Sequence, residues 1–267
     1  MRWQFTDLEF KALCYRYRYQ ARMPSPLVYT SRTVLAADYE LELYEARTRL
    51  EQELDPGFIS LFEAMADPEL FIGVHGFRDD DPHAPRLRAH AARRGHRACV
   101  IVQSPGETPF HSGDITVLEC EPHEMYALLV AQLPEVEAGG MSPIPISDRP
   151  YVPEPDPYDS PPASAFDSFE ETGEVRGLRF WNTRADRIGF MRVIQGRSKY
   201  GPRGVEHQLL LWRDLPGDGR YLIELETPEM TAVGTDAKRF AARLQHHVER
   251  ILQIMESRGE QEELQQR

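Results

Sequence analysis

The chain has 267 residues, a formal net charge of −12 and 28% charged residues. This length suits one large domain or two small ones with a substantial core. The acidic balance excludes a surface built for nucleic acid or anionic membranes, because both need clustered Lys and Arg.

Cysteine content and apolar patterning indicate the compartment. The three cysteines are odd in number and sit among apolar neighbours, which favours buried thiols over disulfides: Cys14, Cys99 and Cys120. No N-terminal stretch resembles a signal peptide, and no apolar run reaches membrane-spanning length. We therefore expect a cytoplasmic protein with no membrane insertion.

The N-terminal region predicts three helices. Thr6-Asp7-Leu8-Glu9 has the form of a capping box, so a first helix should follow it and end before Met23. Pro24 and Pro26 favour an extended connection. Apolar periodicity then predicts a second helix over Ser31–Leu54 and a short third one over Phe58–Met65.

A strand-rich region follows. Phe71 to Phe77 is strand-like, and Arg78–Pro85 predicts an exposed loop because it contains three aspartates and two prolines. Leu87–Gln103 predicts one long strand or two joined at Arg94-Gly95. A strand around Ile115 precedes a helix that Pro122 should open and that should reach Leu133.

The middle of the chain changes composition. Pro134 to Pro162 holds nine prolines, which favours an extended crossover over packed core. After it, Val175–Trp181 and Ile188–Ile194 are interpreted as strands. A loop over Gly196–Gly204 separates the second of them from the last unit.

The last unit, Gln208–Arg258, predicts a hairpin and a long helix. Leu209–Trp212 indicates a strand covered on both faces, and a Pro-Gly-Asp-Gly turn leads to a second strand with one wetter face. Thr235 or Asp236 should cap a helix that lasts until Gly259. One stripe of it should lie on the sheet: Phe240, Leu244, Val248, Ile251, Leu252 and Met255.

The order strand, turn, strand, helix occurs twice, at Arg97–Leu133 and at Gln208–Arg258. This repetition predicts an internal duplication. We expect one sheet with strands from both halves, and equivalent positions for the two helices.

Residue patterns give no support for chemistry. Cys120 and His123 lack a partner pair for zinc, and His246 and His247 point about 100° apart on a helix. No glycine-rich loop has phosphate-binding spacing. We expect no metal, no cofactor and no catalytic centre, and we interpret the neighbouring acids as solvated faces: Glu170, Glu171, Glu224 and Glu226.

Several segments in the same order resemble the EspG family of type VII (ESX) secretion: Trp3 before a capped helix, Met23–Leu27, Ala91–Arg97 leading into an apolar strand, Ala131–Pro134, and Gly219–Leu222. The resemblance implies an α+β fold. It consists of a single EspG-like domain with a central, largely antiparallel β-sheet flanked by helical bundles and two pseudo-twofold-related halves. We place the N-terminal half at 1–134, the crossover at 135–170, the C-terminal half at 171–259, and a disordered tail at 260–267.

The resemblance also implies a function. EspG proteins are cytosolic chaperones that bind the helical tip of PPE in a PE–PPE heterodimer, keep it soluble and direct it for export. They use the loop between the second and third strands and the C-terminal helical region, which correspond here to Phe77–Pro85 and Asp236–Arg258. The partner-binding residues so implied are Phe77, Asp79, Asp80, Asp81, His83, Arg243, His247, Arg250 and Ile254.

Ile254 falls outside the apolar stripe, on the flank of Arg243, His247 and Arg250, so this flank is either packed by another helix of the bundle or kept for a partner's apolar tip. We expect the chain alone to be a monomer or weak dimer. Two alternatives stay open at this stage: an interaction or regulatory module without a link to secretion, and an uncharacterised enzyme, which would need a concave pocket with perturbed acids or histidines.

Overall fold

The computed structural model describes residues 1–17, 22–141, 143–146, 172–225 and 227–260. Six α-helices lie in this part of the chain: α1 (Asp7–Tyr17), α2 (Ala36–Glu53), α3 (Pro56–Ala66), α4 (Met125–Val130), α5 (Gly173–Asn182) and α6 (Ala237–Ser257). Ten strands accompany them: β1 (Arg2–Phe5), β2 (Leu70–Phe77), β3 (Leu87–Arg94), β4 (Arg97–Pro105), β5 (Ser112–Cys120), β6 (Ile144–Pro145), β7 (Arg187–Gln195), β8 (His207–Leu215), β9 (Gly219–Glu224) and β10 (Thr231–Gly234).

All ten strands form one antiparallel sheet in the order β1-β5-β4-β3-β2-β7-β8-β9-β10-β6. Two meanders, β2 to β5 and β7 to β10, meet where β2 pairs with β7 at the centre. The predicted α+β class, with a single antiparallel sheet that takes strands from both halves, is confirmed.

The two halves repeat one order of elements, and the repeat differs in register from the sequence prediction. Each half runs helix, four-stranded meander, helix: α3, β2 to β5, α4 and then α5, β7 to β10, α6. The sequence matched the hairpin β4–β5 to β8–β9, whereas its counterpart in this order is β9–β10. The four-residue strand β10 was missed because so short a segment carries little periodic signal.

Helices cover both faces of the sheet. On one face α4 and α6 pack on each other and on the strands of both meanders. On the other face α1, α2 and α3 cover the first half, and α5 covers the second. No helix within the described ranges is long and apolar enough to cross a membrane.

The N-terminal capping box is confirmed, but α2 starts later than expected. The Thr6 amide donates to Glu9 Oε2 at 2.8 Å, and the Glu9 amide donates to Thr6 Oγ1 at 3.2 Å. The segment before α2 stays extended because Thr33 bonds Ser31 through its amide (3.0 Å) and Glu42 through its hydroxyl (2.7 Å). Such local side-chain bonds compete with helix formation.

The strand predicted over Val175–Trp181 is wrong, since these residues belong to α5. The Thr172 hydroxyl accepts from the Val175 amide and caps this helix. Gly177 and Phe180 are buried at a three-residue step, and a Cβ on Gly177 would lie only 2.6 Å from the Pro145 carbonyl oxygen. The three-residue spacing of Gly177 and Phe180 therefore lets the helix pack closely on β6.

Two smaller expectations are also corrected. Pro122 precedes a turn in which the Glu124 amide bonds the Glu121 carbonyl, so α4 begins only at Met125. The wetter face predicted for β9 is covered, because α6 lies over it and leaves Leu222 only 6% exposed. Glu226, on the same predicted face, lies outside the described residues.

Part of the crossover is described. Residues 134–141 run beside β9, where the Arg220 amide bonds the Glu137 carbonyl and the Gly139 amide bonds the Arg220 carbonyl. Residues 147–171, which include Glu170 and Glu171, lie outside the described residues, as does 261–267 of the predicted tail. Glu260, the first residue of that tail, is buried and bonds Ser198 at 2.7 Å, so the packed structure extends past 259.

Candidate partner-binding surface

The long helix α6 forms as its sequence predicts. Asp236 caps it by accepting a hydrogen bond from the Arg239 amide at 2.7 Å. The predicted stripe is buried against the sheet at Phe240, Leu244, Val248, Ile251 and Met255, with Leu252 partly buried beside it. The opposite side of α6 is free to face a partner.

A groove of about 660 Å³ opens between the first half of α6 and the edge formed by β9 and β10. Apolar and charged side chains share its walls. They are Leu222, Glu224, Thr227, Glu229, Thr231, Val233, Gly234, Thr235, Arg239 and Arg243. Such a mixed, open groove suits a protein segment with an apolar tip and polar edges.

Glu224 ties this groove to α6. Its carboxylate pairs with Arg243, and its Oε2 lies 3.4 Å from His247 Nε2. Burial raises the pKa of Glu224, but the contacts with His247 and Arg243 outweigh this and hold the pKa at about 2. His247 is only 3% exposed. It contacts Glu224 from the buried side of α6 and does not lie on the exposed flank that the sequence suggested.

The second half of α6 lies toward the other end of the sheet. Arg250 donates to Gln208 Oε1 at 2.8 Å, and Arg258 donates to the Gly204 carbonyl at 2.9 Å. Ile254 is partly buried on this stretch. It follows Arg243 by eleven residues, which is about 16 Å along a helix.

The loop after β2 is exposed, as predicted, and it is internally braced. Arg78 pairs with Asp80 at 2.7 Å, and Asp81 accepts from the His83 amide at 2.8 Å. Asp79 accepts from the Ala185 amide at 3.0 Å, which anchors the loop to the start of β7. Asp79, Asp80, Asp81 and His83 are all exposed in this loop, and Phe77 at its base is partly buried.

The base of this loop lies at the same end of the sheet as the start of α6. Trp212 packs over Gly76, where a Cβ would come 3.0 Å from its ring, and on Phe240 of α6 with ring centroids 6.2 Å apart. Phe77 pairs with Ile188, whereas Gln195 marks the other end of β7, about 23 Å away at 3.3 Å per residue. The loop and the start of α6 therefore lie toward the same end of the sheet, whereas Arg250 and Ile254 lie farther along α6.

A second groove, of about 420 Å³, crosses the β2–β7 seam on the opposite face, between the helices of the two halves. Burial and the nearby Arg88 and Arg86 lower the pKa of His75 in this groove to about 4, so the imidazole is neutral at neutral pH. Its lining residues include no carboxylate: Ser25, Pro26, Phe71, Gly73, His75, Phe190, Arg192, Ile194 and Leu209.

Neither a metal site nor an activated thiol is found in the part of the chain that is described. No group of three His, Cys, Asp or Glu side chains is placed to hold a metal ion there. Burial raises the pKa of Cys99 to about 12 and that of Cys120 to about 11, so both thiols are protonated and poor nucleophiles.

Sequence reasoning missed the wall of the first groove. Glu224 was interpreted as one of several solvated acids, and Arg239 and the β10 residues were not singled out. The sequence offered one signal: Glu224 lies between two apolar residues on a strand, and the helix that follows carries Arg residues. The pairing of Glu224 with Arg243 depends on where α6 lies, and the sequence did not give that position because β10 was missed.

Comparison with known proteins supports the sequence resemblance. A search of curated proteins found no match. A profile described as the EspG family matches residues 6–246, which is most of the chain. The chain therefore belongs to the EspG family, and this membership supports a role as an ESX secretion-associated chaperone.

Proposed function

We propose that this protein is a cytoplasmic chaperone that binds the helical tip of PPE in a PE–PPE heterodimer, keeps the pair soluble and directs it to ESX export. The observation that carries the proposal is the groove beside α6 in a chain of the EspG family. The expected complex contains one copy each of the chaperone, PE and PPE.

The groove suits such a tip in shape and chemistry. Leu222 and Val233 supply apolar wall, and Val233 is 45% exposed in the free chain. Arg239 and Arg243 line the helix side, where they can donate hydrogen bonds to backbone carbonyls or acids of the partner. An apolar end inserted here loses contact with water, which is what keeps an aggregation-prone surface soluble.

We assign the braced loop at Phe77–Pro85, which leaves the same end of the sheet as the start of α6, the role of a charged rim. Asp80 and Asp81 are exposed, and rim charges of this kind change association rates more than dissociation rates. Reversing the charges of Asp79, Asp80 and Asp81 should therefore alter the on-rate and its salt dependence while leaving most of the affinity.

Ile254 belongs to the same helix but not to the groove, so the proposal assigns it the far end of a footprint along α6. Replacing Ile254 by Glu should weaken the complex by on the order of 2 kcal/mol if the tip reaches that end. Arg239→Glu, on the exposed side of the groove, tests the near end.

The experiment co-expresses the chain with the PE–PPE pair encoded beside its gene and measures capture of the pair. Val175, which is 47% exposed on α5 at the other face, provides a matched control as Val175→Glu. We expect capture by the native chain and by the control, and loss with Arg239→Glu at unchanged melting temperature, because the Arg239 side chain is 71% exposed and its contact with Asp236 is long, at 3.6 Å. Failure of the native chain to capture any adjacent pair would reject the chaperone function in favour of a general interaction module.

A further inference from the structure

The N-terminal half of α2 carries an exposed apolar stripe. Leu41 and Tyr44 are 56% and 57% exposed, and Val34 and Leu35 just before the helix are 96% and 63% exposed. Ala37, Leu41 and Tyr44 recur at steps of four and three residues, so they share one side of the helix. The buried side of α2, with Ala46 and Leu50, is roughly opposite.

Hydrogen bonds hold the segment before α2 in place, so the stripe belongs to an ordered surface and not to a frayed helix end. Arg32, just before α2, bonds Glu107 at 2.9 Å, Asp7 at 2.6 Å and the Ser112 carbonyl at 2.7 Å. Thr30 bonds the Phe110 carbonyl at 2.8 Å, which ties the exposed Phe110 to the same segment. Exposed large apolar residues clustered in this way mark interaction sites.

The charged residues beside the stripe determine which kind of partner can bind it. Exposed acids lie on both flanks, with Asp38 and Glu45 on one side and Glu40 on the other. Arg47 lies on the Glu40 flank with its guanidinium 5.6 Å from the centroid of the Tyr44 ring, so the flank of Asp38 and Glu45 carries the uncompensated negative charge. In an antiparallel pair of two copies centred near Leu41, each Asp38 would face the other copy's Glu45, which is repulsive.

We propose that this face, formed by Ala37, Leu41 and Tyr44, binds an amphipathic helix of another protein whose apolar stripe is flanked by Lys and Arg. A straight helical ridge fits the side of a second helix, and basic flanks neutralise Asp38 and Glu45. The site belongs to the helical layer on the sheet face opposite α6, so it is separate from the surface proposed for PE–PPE.

The test uses two synthetic helical peptides of about 18 residues, five turns, with the same leucine stripe and either Lys or Glu flanks. Binding to the full chain is followed by fluorescence anisotropy. The Lys-flanked peptide should bind and the Glu-flanked peptide should not. Asp38→Lys combined with Glu45→Lys should reverse this preference.

Leu41→Glu separates apolar docking from general attraction to an acidic protein. It adds a negative charge, so non-specific binding of the Lys-flanked peptide would strengthen, whereas docking on the stripe should weaken about tenfold. Val175→Glu adds the same charge elsewhere and should not weaken binding. Thermal melts should be unchanged because Leu41 is exposed.

Three results would overturn the proposal: equal binding of the two peptides, undiminished binding to Leu41→Glu, or a concentration-dependent dimer that Leu41→Glu dissolves, which would show that a second copy covers the face. PE–PPE capture should be the same for native chain and Leu41→Glu. The two proposals can therefore fail independently.

Discussion

The buried ion pair between Arg220 and Asp214 offers a demanding test of how the second half is held together. The guanidinium binds the carboxylate through two bonds of 2.7 and 2.9 Å, and the side chains are only 2% and 4% exposed. Arg220 also donates to the Pro134 carbonyl at 3.0 Å, which attaches the start of the crossover to β9.

Replacing Arg220 by Met should leave Asp214 charged, buried and unpaired. Removal of one partner from a buried pair costs about 3–5 kcal/mol. For a chain of this size each kcal/mol lowers the melting temperature by about 2–4 °C, so we expect a drop of roughly 6–20 °C. Urea unfolding followed by circular dichroism, with thermal melts, measures both quantities.

Two further variants serve as controls for the effect of Arg220→Met. Asp214→Leu combined with Arg220→Met removes both charges and should recover most of the lost stability. Arg78→Met breaks the exposed pair with Asp80 and should cost at most about 1 kcal/mol. The reasoning is refuted if Arg220→Met costs no more than Arg78→Met, or if the double variant is as unstable as the sum of the two single ones.

Two further predictions follow from close contacts. Gly189→Ala should cost about 1–3 kcal/mol in urea unfolding, since a Cβ at this position overlaps the Trp212 ring, and a neutral effect would contradict the packing. The pKa of Glu224 is lowered from 4.5 to about 2, so its ionised form stabilises the fold above pH 4.5, and this contribution is lost as the pH falls toward 2. Glu224→Gln should flatten the stability profile over that window, and an unchanged profile would rule out the role of Arg243 and His247.

Sequence patterns predicted the elements whose causes are local. The capping box at Thr6 and Glu9 and the stripe of α6 depend on residues a few positions apart, so periodicity and capping preferences identified both. The same patterns predicted antiparallel pairing and the exposed loop at Arg78–Pro85.

Elements defined by distant partners were not predictable in this way. Arg213 of β8 caps the C-terminal end of α5. Its side chain is 2% exposed and donates hydrogen bonds to the carbonyls of Phe180 and Thr183. Nothing within 173–182 announces that contact, and Val175–Trp181 was interpreted as a strand. The helix depends on a distant cation at its C-terminus as well as on its local cap at Thr172.

The candidate site shows the same division. Sequence and resemblance pointed to the loop after β2 and to α6, and both carry exposed residues. They could not show that His247 is buried behind Glu224, or that Arg243 and Ile254 lie about 16 Å apart along the helix. Those facts depend on how α6 crosses β9 and β10.

Hydrogen exchange of the chain with and without its PE–PPE pair tests the central claim most directly. The account predicts slower exchange on binding in the loop Phe77–Pro85, in β10 and along α6 from Ala237, with α2 unchanged. Protection confined to α2 or to the β2–β7 groove, or no protection with any PE–PPE pair encoded beside the gene, would contradict it.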